Sequence, residues 1–135
     1  MDLMQSLMIS AAGMKVQGER LRVVAENLAN ADSVAEAEGG DPYRRKTITF
    51  RNELDRQLGF ETVQVDKVGT DRSDFRMKYD PGNPAADAKG YVKLPNVNSL
   101  IEMTDMREAQ RSYEANLRAI EVARTMLQRT IDLLR

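Results

Sequence analysis

The sequence predicts a mainly α protein: two long terminal helices forming an antiparallel, coiled-coil-like pair, with a small antiparallel β insert between them. Three observations carry this prediction. Residues 98–135 contain no Gly and no Pro, and their large apolar side chains step by three and four. Near the other end, Leu7, Met14, Leu21 and Leu28 recur every seventh position. Between these regions the apolar period drops to two, most clearly where Phe75, Met77 and Tyr79 alternate with Arg76 and Lys78. A sustained three–four alternation is the seam of a coiled coil, whereas a period of two is a half-buried strand.

The amino-terminal helix is expected over residues 2–30. Asp2 followed by Gln5 has the spacing of a capping box, in which the third helical side chain reaches back to the cap N–H. Leu3, Val24 and Ala31 fall on the intermediate heptad step, which Ser10 and Gln17 weaken. Gly13 and Gly18 each cost about 1 kcal/mol relative to Ala inside a helix. They either soften the helix or admit a close neighbour, and the sequence leaves both readings open. Asn30 is expected as a carboxy-terminal cap in the left-handed conformation. Asn27, beside the apolar stripe, stands where a buried polar residue sets register.

Residues 31–42 are rich in Ala, Glu, Gly and Asp and read as a surface loop. Beyond it a strand is expected over residues 43–50, a short helical turn over 51–58 stopped by Gly59, and strands over 62–66 and 75–79. Asp80-Pro-Gly-Asn-Pro84 is a strong breaker, and residues 90–95 are a short extended lead into the last helix. These make a β unit of three or four strands with few apolar side chains, leaning on a helix for its core. The expected division is one inner helical domain from residues 1–32 and 98–135, and a loop and small β domain from 33–97.

The carboxy-terminal helix starts at Ser99, with Glu102 in the capping-box position. Glu102 and Asp105 lie near its positive end and Arg135 near its negative end, as the helix dipole favours. Its apolar ladder runs Met103, Met106, Tyr113, Leu117, Ile120, Leu127, Ile131 and Leu134, with Gln110 and Arg124 filling two places. At 1.5 Å per residue the helix is roughly 55 Å long. Glu108, Arg111, Glu114, Arg118, Glu121 and Arg124 alternate in sign on a face expected to be solvated, each pair contributing only ~0.2–0.5 kcal/mol. Ala115, Ala119, Val122, Ala123 and Met126 widen the stripe beyond what one partner helix covers, so further neighbours are expected from other chains. The candidate assembly interface is Leu7, Met14, Leu21, Asn27, Leu28 and Asn30 on the first helix. On the second it is Met106, Gln110, Tyr113, Leu117, Ile120, Arg124, Leu127, Ile131 and Leu134.

Composition narrows the function. Apolar content of 41% with only 5% aromatics and no Trp does not supply a large globular core. The net charge is −1 and the basic residues form no block, which disfavours a nucleic-acid surface. With no His and no Cys, imidazole, thiol, disulfide and zinc chemistry are excluded. No apolar run approaches the ~18 residues of a membrane span. The opening residues lack the basic and apolar regions of a secretory signal, so any export is expected without a cleaved signal peptide. Asp80 with Asp87, as an acid–base pair, read better as turn formers, and Asp66, Asp71 and Asp74 lack the ligand spacing and Gly of a cation-binding loop. No catalytic residue, cofactor or metal is expected.

The first helix carries Ser10-Ala-Ala-Gly-Met14 and then a run from Leu21 to Ser33 containing Asn27-Leu-Ala-Asn30. This resembles the amino-terminal signature of bacterial flagellar rod, hook and filament-junction proteins. Tyr43-Arg-Arg-Lys46, Tyr79-Asp-Pro-Gly82, Gly90-Tyr-Val-Lys-Leu-Pro-Asn-Val-Asn98, Glu102-Met-Thr-Asp-Met106 and Arg111-Ser-Tyr-Glu-Ala-Asn116 follow in order. Together they are similar to the flagellar basal-body rod proteins of the proximal rod, and the short chain excludes the hook and distal-rod members. The loop 33–40 departs from the pattern by lacking the usual Pro/Gly character. The resemblance implies a structural axial subunit of the periplasmic rod, polymerising through its terminal helices into a tubular drive shaft that transmits torque and encloses an export channel. It implies type III export and, as partners, FlgB, FlgF, FliE and copies of itself. The alternative reading is a soluble helical adaptor or export chaperone binding one partner helix.

Overall fold

A computed structural model describes residues 2–135. In chain order its elements are α1 (Leu3–Ala29), β1 (Lys46–Asp55), β2 (Phe60–Thr70), β3 (Arg76–Tyr79), β4 (Tyr91–Leu94) and α2 (Ser99–Leu133). The two helices are the ends of the chain, as the heptads predict. The insert is not one sheet: β1 pairs with β2, and β3 pairs separately with β4.

Helix ends follow from single side chains. The Asp2 N–H donates to Gln5 Oε1 at 3.2 Å, the capping-box contact expected there. At the other end of α1, Asn30 departs from expectation. No non-glycine among the described residues has a positive φ. Asn30 caps instead with its amide, Nδ2 donating to the Glu26 carbonyl at 2.8 Å. The start of α2 also shifts by one residue. Asn98 Oδ1 accepts from the Leu100 N–H at 3.1 Å, so Asn98 rather than Ser99 is the cap. Glu102 is thereby released from capping and turns inward.

The helical turn expected over 51–58 is not formed. Residues up to Asp55 stay extended in β1, and the reversal is confined to 56–59. Asp55 Oδ1 accepts from Gln57 N–H at 2.9 Å and Leu58 N–H at 3.2 Å, and Gly59 adopts φ +76°. Pairing with β2 outweighs the local helix preference of Arg, Glu, Gln and Leu, which is weak over so short a run.

The chain divides into two compact units. One comprises residues 2–21, Thr49–Lys67 and Arg107–Arg135; the other comprises Arg22–Ile48 and Val68–Met106. In the first, α1 and α2 run antiparallel, with Gly13 against Asn116 and Arg20 paired to Glu108 at 3.5 Å. The amide of Asn116 occupies the place where a Gly13 side chain would be: a Cβ there would lie 2.8 Å from Asn116 Nδ2. Gly18, by contrast, faces open space. The inward line of α2 here is Ala109, Tyr113, Asn116, Ile120, Ala123 and Leu127, all buried or half-buried. It alternates small or polar residues with large ones. The interleaved Gln110, Leu117 and Arg124 are exposed, as is every member of the charge series from Glu108 to Arg124.

In the second unit β3 and β4 pair antiparallel, Arg76 opposite Leu94 and Tyr79 opposite Tyr91. The two tyrosine rings meet edge to face at 5.3 Å. Ala85, Ala86 and Val92 form a small core on which Val34 and Ala35 pack. The loop 31–42 is therefore anchored at its start. Gly90, at φ +85°, lies under the Tyr79 ring, which a Cβ would approach to 2.9 Å.

Candidate functional site: a buried polar junction

The largest buried polar cluster lies in the second unit, around Asn27 on α1 and Glu102 on α2, which are 1% and 0% exposed. Asn27 comes from the last turns of α1, where its neighbours Val23 and Val24 are also buried. Its Nδ2 donates to the Lys46 carbonyl at 2.9 Å and to Glu102 Oε2 at 3.3 Å. Its Oδ1 accepts from the Lys46 N–H and the Tyr43 hydroxyl, both at 2.8 Å. Both donors and both acceptor sites of the amide are thus used. To the first residue of β1, Asn27 presents what a neighbouring strand would: an acceptor for the N–H and a donor for the C=O.

A buried carboxylate is costly unless paired and hydrogen-bonded. Arg45 Nε donates to Glu102 Oε1, and Asn27 covers the other oxygen. The backbone of Arg45 is itself fixed. Its N–H donates to Asn96 Oδ1 and its C=O accepts from the Asp71 N–H, both at 2.8 Å. Asn96 Nδ2 donates onward to the Asp71 carbonyl at 3.1 Å. Arg44 Nη1 donates to the carbonyls of Asp71 and Ser73, both at 2.9 Å, and its guanidinium stacks 4.1 Å above the Phe75 ring. Four stretches of chain therefore converge: the end of α1, residues 43–46, residues 71–75 and the start of α2.

The rim is charged. Lys46 Nζ donates to Glu26 Oε2 at 2.8 Å, and Arg22 reaches Glu26 Oε1 at 2.8 Å. The Lys46 hydrogen bond holds the Glu26 carboxyl below its usual range, and the same bond raises Lys46. Burial pushes the Tyr43 phenol upward. Hydrogen bonds from Ser73 lower Asp71.

The carboxylates weighed as chemical groups lie elsewhere or are tied up. Asp87 Oδ1 accepts from the Lys89 and Tyr91 N–H groups at 2.9 Å, which lowers its pKa and marks it as a turn former. Asp66 faces Arg51 at 3.7 Å. Among the described residues no three His, Cys, Asp or Glu side chains converge as a metal site, and no helix is long and apolar enough to cross a membrane.

The sequence-predicted interface residues are distributed unevenly. Asn27 is buried. Leu7, Met14, Leu21, Leu28, Asn30, Met106, Tyr113, Ile120 and Leu127 are half-buried. Gln110, Leu117, Arg124, Ile131 and Leu134 are exposed. Asn27 and Asn30 belong to the junction unit; the junction's other members, Tyr43, Arg45, Asn96 and Glu102, were not singled out by periodicity. All four, however, sit in the motifs that carried the flagellar resemblance.

Residues 88–133 match the family model "Flagellar basal body rod FlgEFG protein C-terminal". The flagellar basal-body rod protein FlgC of Agrobacterium fabrum is 59% identical over 94% of this chain and 91% of its own length. The chain belongs to the FlgC family of flagellar basal-body rod proteins. FlgC of Salmonella typhimurium is 40% identical, covering 98% of both chains. FlgC of Bacillus subtilis is 37% identical over 98% of this chain and 99% of its own. As a member of the FlgC family the chain is a structural rod subunit of the flagellar basal body. The buried junction ties the end of α1 and the start of α2 to residues 43–46.

Proposed function

We propose that the chain is an axial subunit of the proximal, periplasmic part of the rod. It polymerises through its terminal helices into the tubular shaft that transmits torque and encloses the export channel. The observation that carries this reading is the apolar surface left along α2: Leu117, Val122, Met126, Ile131, Leu133 and Leu134 are exposed in the single chain. An open groove of about 570 Å³, lined in part by Leu3, Ala119, Val122 and Met126, adds to it. A monomer gains nothing from such a face, whereas a helical assembly buries it. The residues proposed for the seam between subunits are those of the candidate interface other than Asn27, which the junction already occupies, with Gln110 and Arg124 as polar contacts that fix register. On this reading the helical ends form one inner domain, the β insert lies outside, and the neighbours are FlgB, FlgF, FliE and further copies. Delivery is by type III export without a cleaved signal peptide. Imaging of purified basal bodies with a small tag placed at the 56–59 turn tests it. Density at the proximal rod is expected; a tag found only in soluble one-to-one complexes would overturn it in favour of an adaptor.

A further inference from the structure

Along α2 the first unit leaves two apolar faces uncovered, on opposite flanks of the line that packs on α1. At about 100° per residue, Leu117, Arg124 and Ile131 stand roughly 60–100° to one side of Asn116. Ala119, Val122 and Met126 stand roughly 60–120° to the other side. All six are exposed. The two faces differ in shape. The first is a row of long side chains one heptad apart. The second is a wall of the open groove, in which Ala123 is buried and to which Asp2 and Arg118 add charge. A row of long side chains and a trough with alanines along it complement each other rather than themselves, which is the condition of a heterologous contact. The charges then choose a direction. Glu114 borders the first face and Arg124 lies within it, ten residues or about 15 Å apart. In the groove, Asp2 stands eleven residues before Gly13, which lies against Asn116, so Asp2 is level with residue 127 and about 13 Å beyond Arg118. Laid parallel, a second copy brings Glu114 to Arg118 and Arg124 to Asp2 at one common stagger of about a helical turn. Laid antiparallel, it brings Arg124 to Arg118 and Glu114 to Asp2, two like-charge pairs that oppose association. At the parallel stagger Leu117 falls between Ala119 and Val122 of its neighbour.

We propose that the groove takes the Leu117, Arg124 and Ile131 row of a second copy of this chain, packed parallel and displaced by about one turn, so that the contact repeats from copy to copy instead of closing on a pair. The contact rests on the polymerisation proposed above and gives it a direction. The chain has no Cys, so introduced cysteines report the contact. Leu117 and Val122 lie about 140° apart around α2 and cannot bridge within one chain. In cells whose only copy is the double variant Leu117→Cys, Val122→Cys, oxidised basal bodies are expected to give a ladder of disulfide-linked dimers, trimers and higher multimers; either single variant gives none. A dimer from Leu117→Cys alone means that copies meet through the same face and overturns the proposal. So does a chain present in basal bodies without the ladder, which makes a different protein the occupant. Arg124→Asp should lower the amount of chain in basal bodies about tenfold, and adding Asp2→Arg should recover it. Failure of this swap overturns the parallel packing, and the swap carries the test by itself where the double cysteine variant is not incorporated. Absence of the unsubstituted chain from basal bodies defeats the polymerisation instead, so the two readings fail separately.

Discussion

At the scale of single residues, the junction shows how a polar core differs from an apolar one. Its members have no slack, so the cost of a substitution depends on what is left behind. Arg45→Leu strands a fully buried carboxylate and should cost about 3–5 kcal/mol. Glu102→Gln keeps the shape and a hydrogen-bond acceptor for Arg45, and should cost much less. Urea unfolding followed by circular dichroism checks the order; equal losses would mean that Glu102 is not paired in solution. Tyr43 carries a pH dependence with a definite sign. Its pKa is raised in the fold above the ordinary 10.0, so the folded chain holds the phenolic proton more tightly than the unfolded one. Its contribution is complete below that ordinary value and is lost as pH climbs through the raised one. Tyr43→Phe should cost about 1 kcal/mol at neutral pH, for the lost bond to Asn27, and should flatten the alkaline decline. An unfolding series from about pH 8 to about pH 11 measures both. Asn27 was legible in the sequence as a polar residue beside a stripe. Its partners were not, because Glu102 lies 75 positions away and no local period links them.

At the scale of elements, the two helices were legible and their seam only partly so. Large apolar residues mark the ladder Met103, Leu117 and Ile131, with Gln110 and Arg124 filling two of its places, but small and polar residues share the line of closest approach. Ala109, Asn116 and Ala123 sit there because short side chains let two helices come near. Gly13 completes the fit by having no side chain at all. The two glycines of α1 should therefore respond in opposite directions to the same change. Gly18→Ala gains up to about 1 kcal/mol, because it meets nothing and improves helix propensity. Gly13→Ala must displace Asn116 and break its bond to the Ser112 carbonyl, so it loses stability despite the same propensity gain. Adding Asn116→Ala to Gly13→Ala should recover the difference, and thermal unfolding of the three variants beside the unsubstituted chain reads it out. The run 51–58 departs from its expected helical turn for a related reason. Its helix-forming residues are overruled by pairing that no local window contains, and only Asp55 and Gly59 announce the turn.

At the scale of the whole molecule, recognition by motif succeeded where periodicity was silent. Tyr43-Arg-Arg-Lys46, the 90–98 run and Glu102 carry the flagellar resemblance, and they also build the junction. The outward residues of α2 are exposed in the single chain, and under the proposed function their partners lie in other subunits. Their prediction is therefore about assembly. Ile131 is 56% exposed, so Ile131→Asp should leave the circular dichroism and melting of the isolated chain unchanged. It should nonetheless abolish rod incorporation and motility, because a charge placed in a dry seam is strongly unfavourable. Normal swimming by the variant would remove Ile131 from the seam.

The polar junction also sets an order in time. Asn27 belongs to the first quarter of the chain, yet its partners arrive with residues 43–46 and then with residue 102. Closing so long a loop is slow, and the entropy must be spent before the contacts repay it. A chain released amino end first thus has α1 free long before Glu102 can reach it. Until then Asn27 keeps water as its partner, and the junction stays open. Locking is deferred to the last third of the polypeptide, so a chain that emerges amino end first stays unlocked until Glu102 follows.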